Sequence, residues 1–324
     1  MSFEKEPIWR LIVKNGVPSM VTMLVVIIYN LADTFFVGQT HNDYMVAAVS
    51  VAAPIFTLLI TVGTLIGGGG CTIISNALGG RDVGRARRTS CFCFYASLGI
   101  GVVLAAILLV WCEPVLRIAG ATDNTIGMAG TYLRIIALGA PFIVFSNTMG
   151  NLIRADGAAK QAMIGNMIGT VVNIVLDPVM ILAWDWGIAG AAIATVLGNV
   201  LACAYYLVYV LRHRDGAMSC VPSAFTLRRE ISVPVFSIGL PGALGNLLMS
   251  FSNIIMNLFL VPYSDSAVAA MGVAMKIGMI VAMIQMGLCM GVLPILAYNF
   301  GSASSSASRR PSGRPACSAS SSAR

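Results

Sequence analysis

Apolar residues in this chain come in long unbroken runs, with neither the strict alternation of a half-buried strand nor the narrow stripe of a surface helix. Read in windows of about 19 residues, the runs predict helices near 17–37, 46–70, 90–112, 128–150, 161–184, 188–211, 232–260 and 268–298. Each is close to the ~20 residues that a helix needs to cross a bilayer. The polar positions fall between the runs, and their charge alternates from one connection to the next. One set of connections carries Lys5, Arg10 and Lys14, then Arg81, Arg85, Arg87 and Arg88, then Arg154 and Lys160, then Arg212, Arg214, Arg228 and Arg229. The other set carries Arg117 as its one basic residue, with His41, Asp43, Glu113, Asp123, Asp185 and Asp265. By the positive-inside rule, the first set and the N-terminus are cytoplasmic.

Composition agrees. Hydrophobic residues make up 57% of the 324 positions and charged residues 10%, whereas a soluble domain carries about a quarter charged residues. A surface so poor in charge is matched to lipid. The net charge of +7 is accounted for by the basic connections, so it signals topology, and no nucleic-acid partner is expected. The first fourteen residues lack the short apolar core and small-residue cleavage site of a secretory signal. Together these features predict a multi-pass integral protein of the inner (plasma) membrane. Cys91 and Cys93 sit in an apolar run and read as small buried side chains rather than a metal pair. The pairs Gly63/Gly67, Gly165/Gly169 and Gly287/Gly291 are spaced to let a second helix approach closely.

The chain also contains a repeat. Gly16-Val17-Pro18 matches Gly239-Leu240-Pro241, Asn30 matches Asn253, Ala47-Ala48-Val49 matches Ala269-Ala270-Met271, and Ala77-Leu78-Gly79 matches Asn299-Phe300-Gly301, at a near-constant offset. Six spans separate the copies. An even number preserves orientation, so the copies are parallel, related by an axis along the membrane normal. The expected organisation is a six-helix N-terminal lobe with its linker (1–225), a partial second lobe of two helices (226–301), and a low-complexity, disordered tail (302–324) rich in Ser, Ala, Arg and Pro. The abrupt change after Gly301 reads as a truncated, out-of-frame end.

Ionisable groups inside a span carry a functional hypothesis, because an aspartate at a helix centre costs ~2.5–3.5 kcal/mol on insertion scales. Asn30 and Asp33 share a face in the first span, and Asn173 and Asp177 share a face in the fifth, with Pro178 directly after. Thr195 adds a hydroxyl from the sixth span. Desolvation disfavours the charged form of a carboxylate, so such acids change charge when water reaches them, as proton coupling requires. Tyr29, Asn30, Gln285 and Met286 are candidates for a substrate cavity. No catalytic motif is found, and both histidines, His41 and His213, fall in connections; no enzyme activity and no cofactor is expected.

Asn-Leu-Ala-Asp-Thr-Phe-Phe-Val-Gly around Asp33, Leu78-Gly79-Gly80-Arg81-Asp82 with Ala86-Arg87-Arg88, Leu152-Ile153-Arg154-Ala155-Asp156-Gly157 with Lys160, Asn173-Ile174-Val175-Leu176-Asp177-Pro178 and Gly187-Ile188-Ala189-Gly190-Ala191-Ala192-Ile193-Ala194-Thr195 together resemble the multidrug and toxic-compound extrusion (MATE) transporters over residues 10–301. The resemblance implies an all-α transmembrane fold and antiport: export of organic, often cationic compounds against inward H⁺ or Na⁺, by a monomer in contact with membrane lipid. It assigns Asp33, Asn173, Asp177 and Thr195 to a coupling-ion network, with the same four as oxygen donors should Na⁺ take the place of H⁺. The seventh span has no acid, unlike members with a sodium site in the second lobe, which favours H⁺. The alternatives are a flippase for lipid-linked saccharides, of related fold, and a truncated product without transport activity.

Overall fold

The apolar runs fold into helices longer than the runs themselves. The computed structural model describes residues 8–38, 43–213, 218, 228–260 and 265–308. Its helices are α1 (Ile8–Gly38), α2 (Asp43–Gly79), α3 (Val83–Val110), α4 (Cys112–Ile118), α5 (Ile126–Ala155), α6 (Ala159–Pro178), α7 (Gly187–Arg212), α8 (Arg229–Leu260) and α9 (Asp265–Ser308). Among the described residues there is no strand, and eight helices, all but the short α4, are long and apolar enough to cross a membrane. These eight match the predicted spans one for one. The large apolar side chains left on the outside, such as Val102, Val103, Leu138, Val171 and Leu201, suit a lipid surround, where every backbone group is satisfied within its own helix.

The differences lie at the ends. Apolar windows stop where polar residues begin, but a helix stops only where its hydrogen-bond ladder is interrupted. Thus α2 continues beyond residue 70 to Gly79, where Gly80 and Arg81 (φ +62°) turn the chain and Asp82 caps α3 by accepting from the Arg85 N–H at 2.9 Å. The boundary expected at 301 falls inside α9, which runs on to Ser308; an established helix propagates easily through residues such as Ala and Ser. Arg154, expected in a connection, belongs to the last turn of α5 and is 5% exposed, its Nη1 donating to Asn151 Oδ1 at 3.0 Å. The α4 turn was not legible as a helix. Its Arg117, the one basic residue expected on that side, pairs with Glu113 and Asp123 at 3.2 and 3.3 Å.

The small-residue pairs mark helix crossings. A Cβ on Gly63 would lie 2.7 Å from Asn147 Cβ and 2.9 Å from the Val144 carbonyl of α5, and the Thr148 hydroxyl lies across this crossing 3.1 Å from the Gly63 carbonyl. On α6, Gly169 faces the Gly198 carbonyl of α7. On α9, Gly287 and Gly291 lie against Met20 and Asn15 of α1. At the centre, α5 packs on α2, α3 and α7.

Packing also reproduces the repeat, since α1 lies on α9 and α2 on both α8 and α9. A Cβ on Gly79 would collide with the Tyr298 carbonyl, and one on Gly301 with the Asn76 carbonyl. The repeat aligns Gly79 with Gly301, and therefore Asn76 with Tyr298. Each contact is the other with the two copies exchanged, as a two-fold axis between α2 and α9 requires. All of these crossings lie in the half of the bundle nearer the basic connections.

Gly63→Val forces backbone apart at the α2–α5 crossing and should cost about 1–3 kcal/mol, the usual range for overpacking. Gly99→Ala, where an added Cβ meets nothing within 4 Å, should be neutral. Thermal denaturation of the two variants in the same detergent makes the comparison.

Candidate functional site

The half of α6 away from the basic connections is where the sequence concentrates polar groups in an apolar helix. Asn173 and Asp177, four residues apart, emerge one above the other, and both are buried, at 3% and 0% exposure. The helix is interrupted directly beyond them. Pro178 has no N–H to give the Ile174 carbonyl, and residues Val179–Ala183 open into a π-helical turn. Trp184, Asp185 (φ +52°) and Trp186 then reverse the chain into α7. At Gly190 of α7 an added Cβ would lie 2.9 Å from the Met180 backbone. This close return places Thr195, at 5% exposure, across from Asn173.

The three side chains form one hydrogen-bonded cluster. The Thr195 hydroxyl lies 3.2 Å from the Asn173 amide and donates to the Ala191 carbonyl at 3.0 Å. The surrounding donors and acceptors fix the orientation of the amide. Nδ2 donates to Asp177 Oδ2 at 2.9 Å, and Oδ1 accepts from the Thr195 N–H at 3.0 Å, with the Thr195 hydroxyl 3.2 Å away; the reverse orientation would set the amide nitrogen against the Thr195 N–H. An ionised Asp177, which only accepts, therefore has a donor in Asn173.

Of the candidate residues, Asn173, Asp177 and Thr195 are brought together. Asp33 and Asn30 belong to α1, a helix that packs on α6, but their side chains lie outside the described residues. Tyr29 is half-buried on α1. Gln285 and Met286 are on α9 and exposed, Met286 at 37%, and are not part of this cluster.

Two residues not singled out from the sequence extend it. Asn199 Nδ2 donates to the Thr195 carbonyl at 2.9 Å, and Asn199 Oδ1 accepts from the Ser146 hydroxyl of α5 at 2.8 Å. Asn199 follows Thr195 by four residues, the same spacing that flagged Asn173 and Asp177, so a periodicity signal was present. A lone serine within a span carries no such signal. At the basic end, a second set of bonds clasps the same two helices: Tyr206 donates to the Ala162 carbonyl at 2.9 Å, and Tyr205 donates to Gln161.

Comparison with known proteins gives a consistent result. The MatE family model matches residues 18–179 and 241–310, two stretches that begin at Pro18 and Pro241, the aligned prolines of the repeat. The multidrug export protein MepA of Staphylococcus aureus is 32% identical over 298 residues, covering 92% of this chain and 66% of its own length. The protein of the same name from Staphylococcus saprophyticus is 34% identical over the same extent. The chain thus spans just under two thirds of the length of these relatives. Among solved structures, a MATE transporter in the straight conformation superposes with a TM-score of 0.86 at 29% identity, covering 90% of this chain and 65% of that one. A transporter of the MOP superfamily from Pyrococcus furiosus, described as having a binding pocket of reversed polarity, gives 0.83 at 28% identity, covering 90% and 65%.

Thr195→Val keeps the shape of the side chain and removes the hydroxyl beside the buried Asn173 amide. It should destabilise the protein by about 1–3 kcal/mol, the penalty for an unsatisfied buried polar group, while Thr195→Ser stays near wild type. Unfolding in mixed detergent–SDS micelles measures both.

Proposed function

The chain belongs to the MATE family of multidrug efflux transporters, and from that premise we propose that it is a secondary antiporter, exporting small organic, often cationic compounds against inward H⁺. The single observation that carries the coupling part is the buried Asn173–Asp177–Thr195 cluster, in which the Asn173 amide donates to the Asp177 carboxylate. A proton arriving at ionised Asp177 removes the charge that strengthens this bond and loosens Asp177 from Asn173. Proton loss restores it. Asp33 on the adjoining α1 joins this network in the same reading, and Na⁺, as the less favoured cargo, would use the same oxygens.

The architecture supplies the second requirement, two halves that can move against each other. We read residues 1–225 as one lobe and 226–301 as part of its parallel counterpart. Among the described residues, the contacts of Gly79 with Tyr298, Gly301 with Asn76, Gly69 with Val235, and Gly287 and Gly291 with α1 lie toward the basic connections. With those connections in the cytoplasm, as loop charge directs, this arrangement is closed on the cytoplasmic side and binds its substrate from a space between the lobes. Protonation shifts the balance of the two states by stabilising one over the other. The protein acts as a monomer in the plasma membrane, with Tyr29, Asn30, Gln285 and Met286 as substrate-facing candidates.

Reconstituted into liposomes, the chain should export ethidium when an inward proton gradient is imposed, and Asp177→Asn should reduce this to the protein-free background. Gradient-driven export at the wild-type rate by Asp177→Asn would overturn the coupling role, and export driven by Na⁺ alone would reassign the ion. Orientation has its own test in whole cells, in a cysteine-free background. Asp123→Cys should react with an impermeant maleimide added outside, and Arg85→Cys should react only after the membrane is opened.

A further inference from the structure

The cluster is tied to the lobe-to-lobe contact through a single turn of α5. Ser146 and Thr148 lie two residues apart, about 200° around a helix, and their contacts show that they face different neighbours. The Ser146 hydroxyl, in a residue 8% exposed, donates to Asn199 Oδ1 of α7 at 2.8 Å, and it also lies 3.1 Å from the Ile143 carbonyl. The Thr148 hydroxyl lies 3.1 Å from the Gly63 carbonyl of α2 and 2.9 Å from the Val144 carbonyl of its own helix, with one proton to share between them. The Asn199 amide is oriented by its other bond: Nδ2 donates to the Thr195 carbonyl at 2.9 Å, so Oδ1 is the atom left for Ser146. An unbroken series of polar contacts therefore runs from Asp177 through Asn173, Thr195, Asn199 and Ser146 to α5. Beyond it, α5 is clamped to α2, the helix whose Gly69 and Gly79 meet the second copy of the repeat.

We propose that Ser146 and Asn199 are positioning residues that hold Thr195 in register with α5 and carry the state of the coupling cluster to α2. Resting on the coupling role proposed for Asp177, this assigns a task to two side chains that touch neither the carboxylate nor, on this reading, the exported compound. The physical reason is local. Within an apolar bundle the Asn199 oxygen has strong cause to keep its donor, so α5 and the α7 turn bearing Thr195 move together. When protonation loosens Asp177 from Asn173, Asn173 shifts against the Thr195 N–H from which it accepts, and that shift is delivered to α5 through the Asn199 amide. Spatial continuity alone does not establish energetic coupling, so the test reads the far end of the series.

Side-chain amide resonances of ¹⁵N-asparagine-labelled full chain in lipid nanodiscs give that reading. Ser146→Ala should shift the Asn199 amide and also the Asn173 amide, and Ser146→Thr, which restores a hydroxyl, should return both toward wild type. In liposomes, Ser146→Ala should lose several-fold in gradient-driven turnover with the KM for ethidium unchanged, and Ser146→Thr should recover it. Ser146→Cys, with a weak donor of similar size, serves the same measurements should Ser146→Ala fail to fold. An Asn173 amide that does not move, or wild-type turnover in Ser146→Ala, overturns the proposal. If Asp177→Asn is inactive while Ser146→Ala is normal, only the positioning role fails. If Asp177→Asn is also normal, the coupling reading beneath it fails first.

Discussion

Asp177 has no exposed surface, and it sits among helices whose outer faces are apolar. An ion held there without partners is costly, so the surrounding sequence is constrained by what that carboxylate needs. Asn173 lies one helical turn before it, the π-turn after Pro178 lets the chain reverse at once, and the close passage of Gly190 past Met180 brings Thr195 within reach. Each of these features is unfavourable alone: an amide in lipid, a proline in a helix, a glycine where a larger side chain would bury more surface. Together they give one buried acid an amide donor that is itself held by Thr195.

Close approach does the rest of the work in the bundle. Helices in lipid gain little from hydrophobic burial against one another, so they associate by backbone proximity and by hydrogen bonds between spans. Gly63 lets α2 reach α5 closely enough for the Thr148 hydroxyl to find a carbonyl across the crossing. Gly169 and Gly198 do the same for α6 and α7, whose basic ends are clasped by Tyr206 on the Ala162 carbonyl. Between the two copies of the repeat, Gly69, Gly79, Gly287 and Gly291 likewise lie against backbone.

Much of this was legible in the sequence, for identifiable reasons. Span number and order follow from hydropathy because a helix in lipid must be apolar along its whole length. Asn173, Asp177 and Thr195 stood out because a polar group in such a helix is rare. The extent of α2 and α9 was not legible, since hydropathy marks lipid and not the hydrogen-bond ladder. Arg154 was misplaced for a related reason. A charged residue beside a glycine reads as a connection, yet the bundle buries it in the final turn of α5 against Asn151.

By itself, then, the sequence determined the solvent, the number of crossings, the repeat and the identity of the buried acid, because each is written in local pattern: run length, charge alternation, spacing and rarity. Only the tertiary structure decided which polar groups meet. Ser146 and Asn199 lie 53 positions apart, and nothing local to either predicts the other. Their pairing exists because α5 and α7 cross at one depth and rotation, a relation set by the packing of the whole bundle.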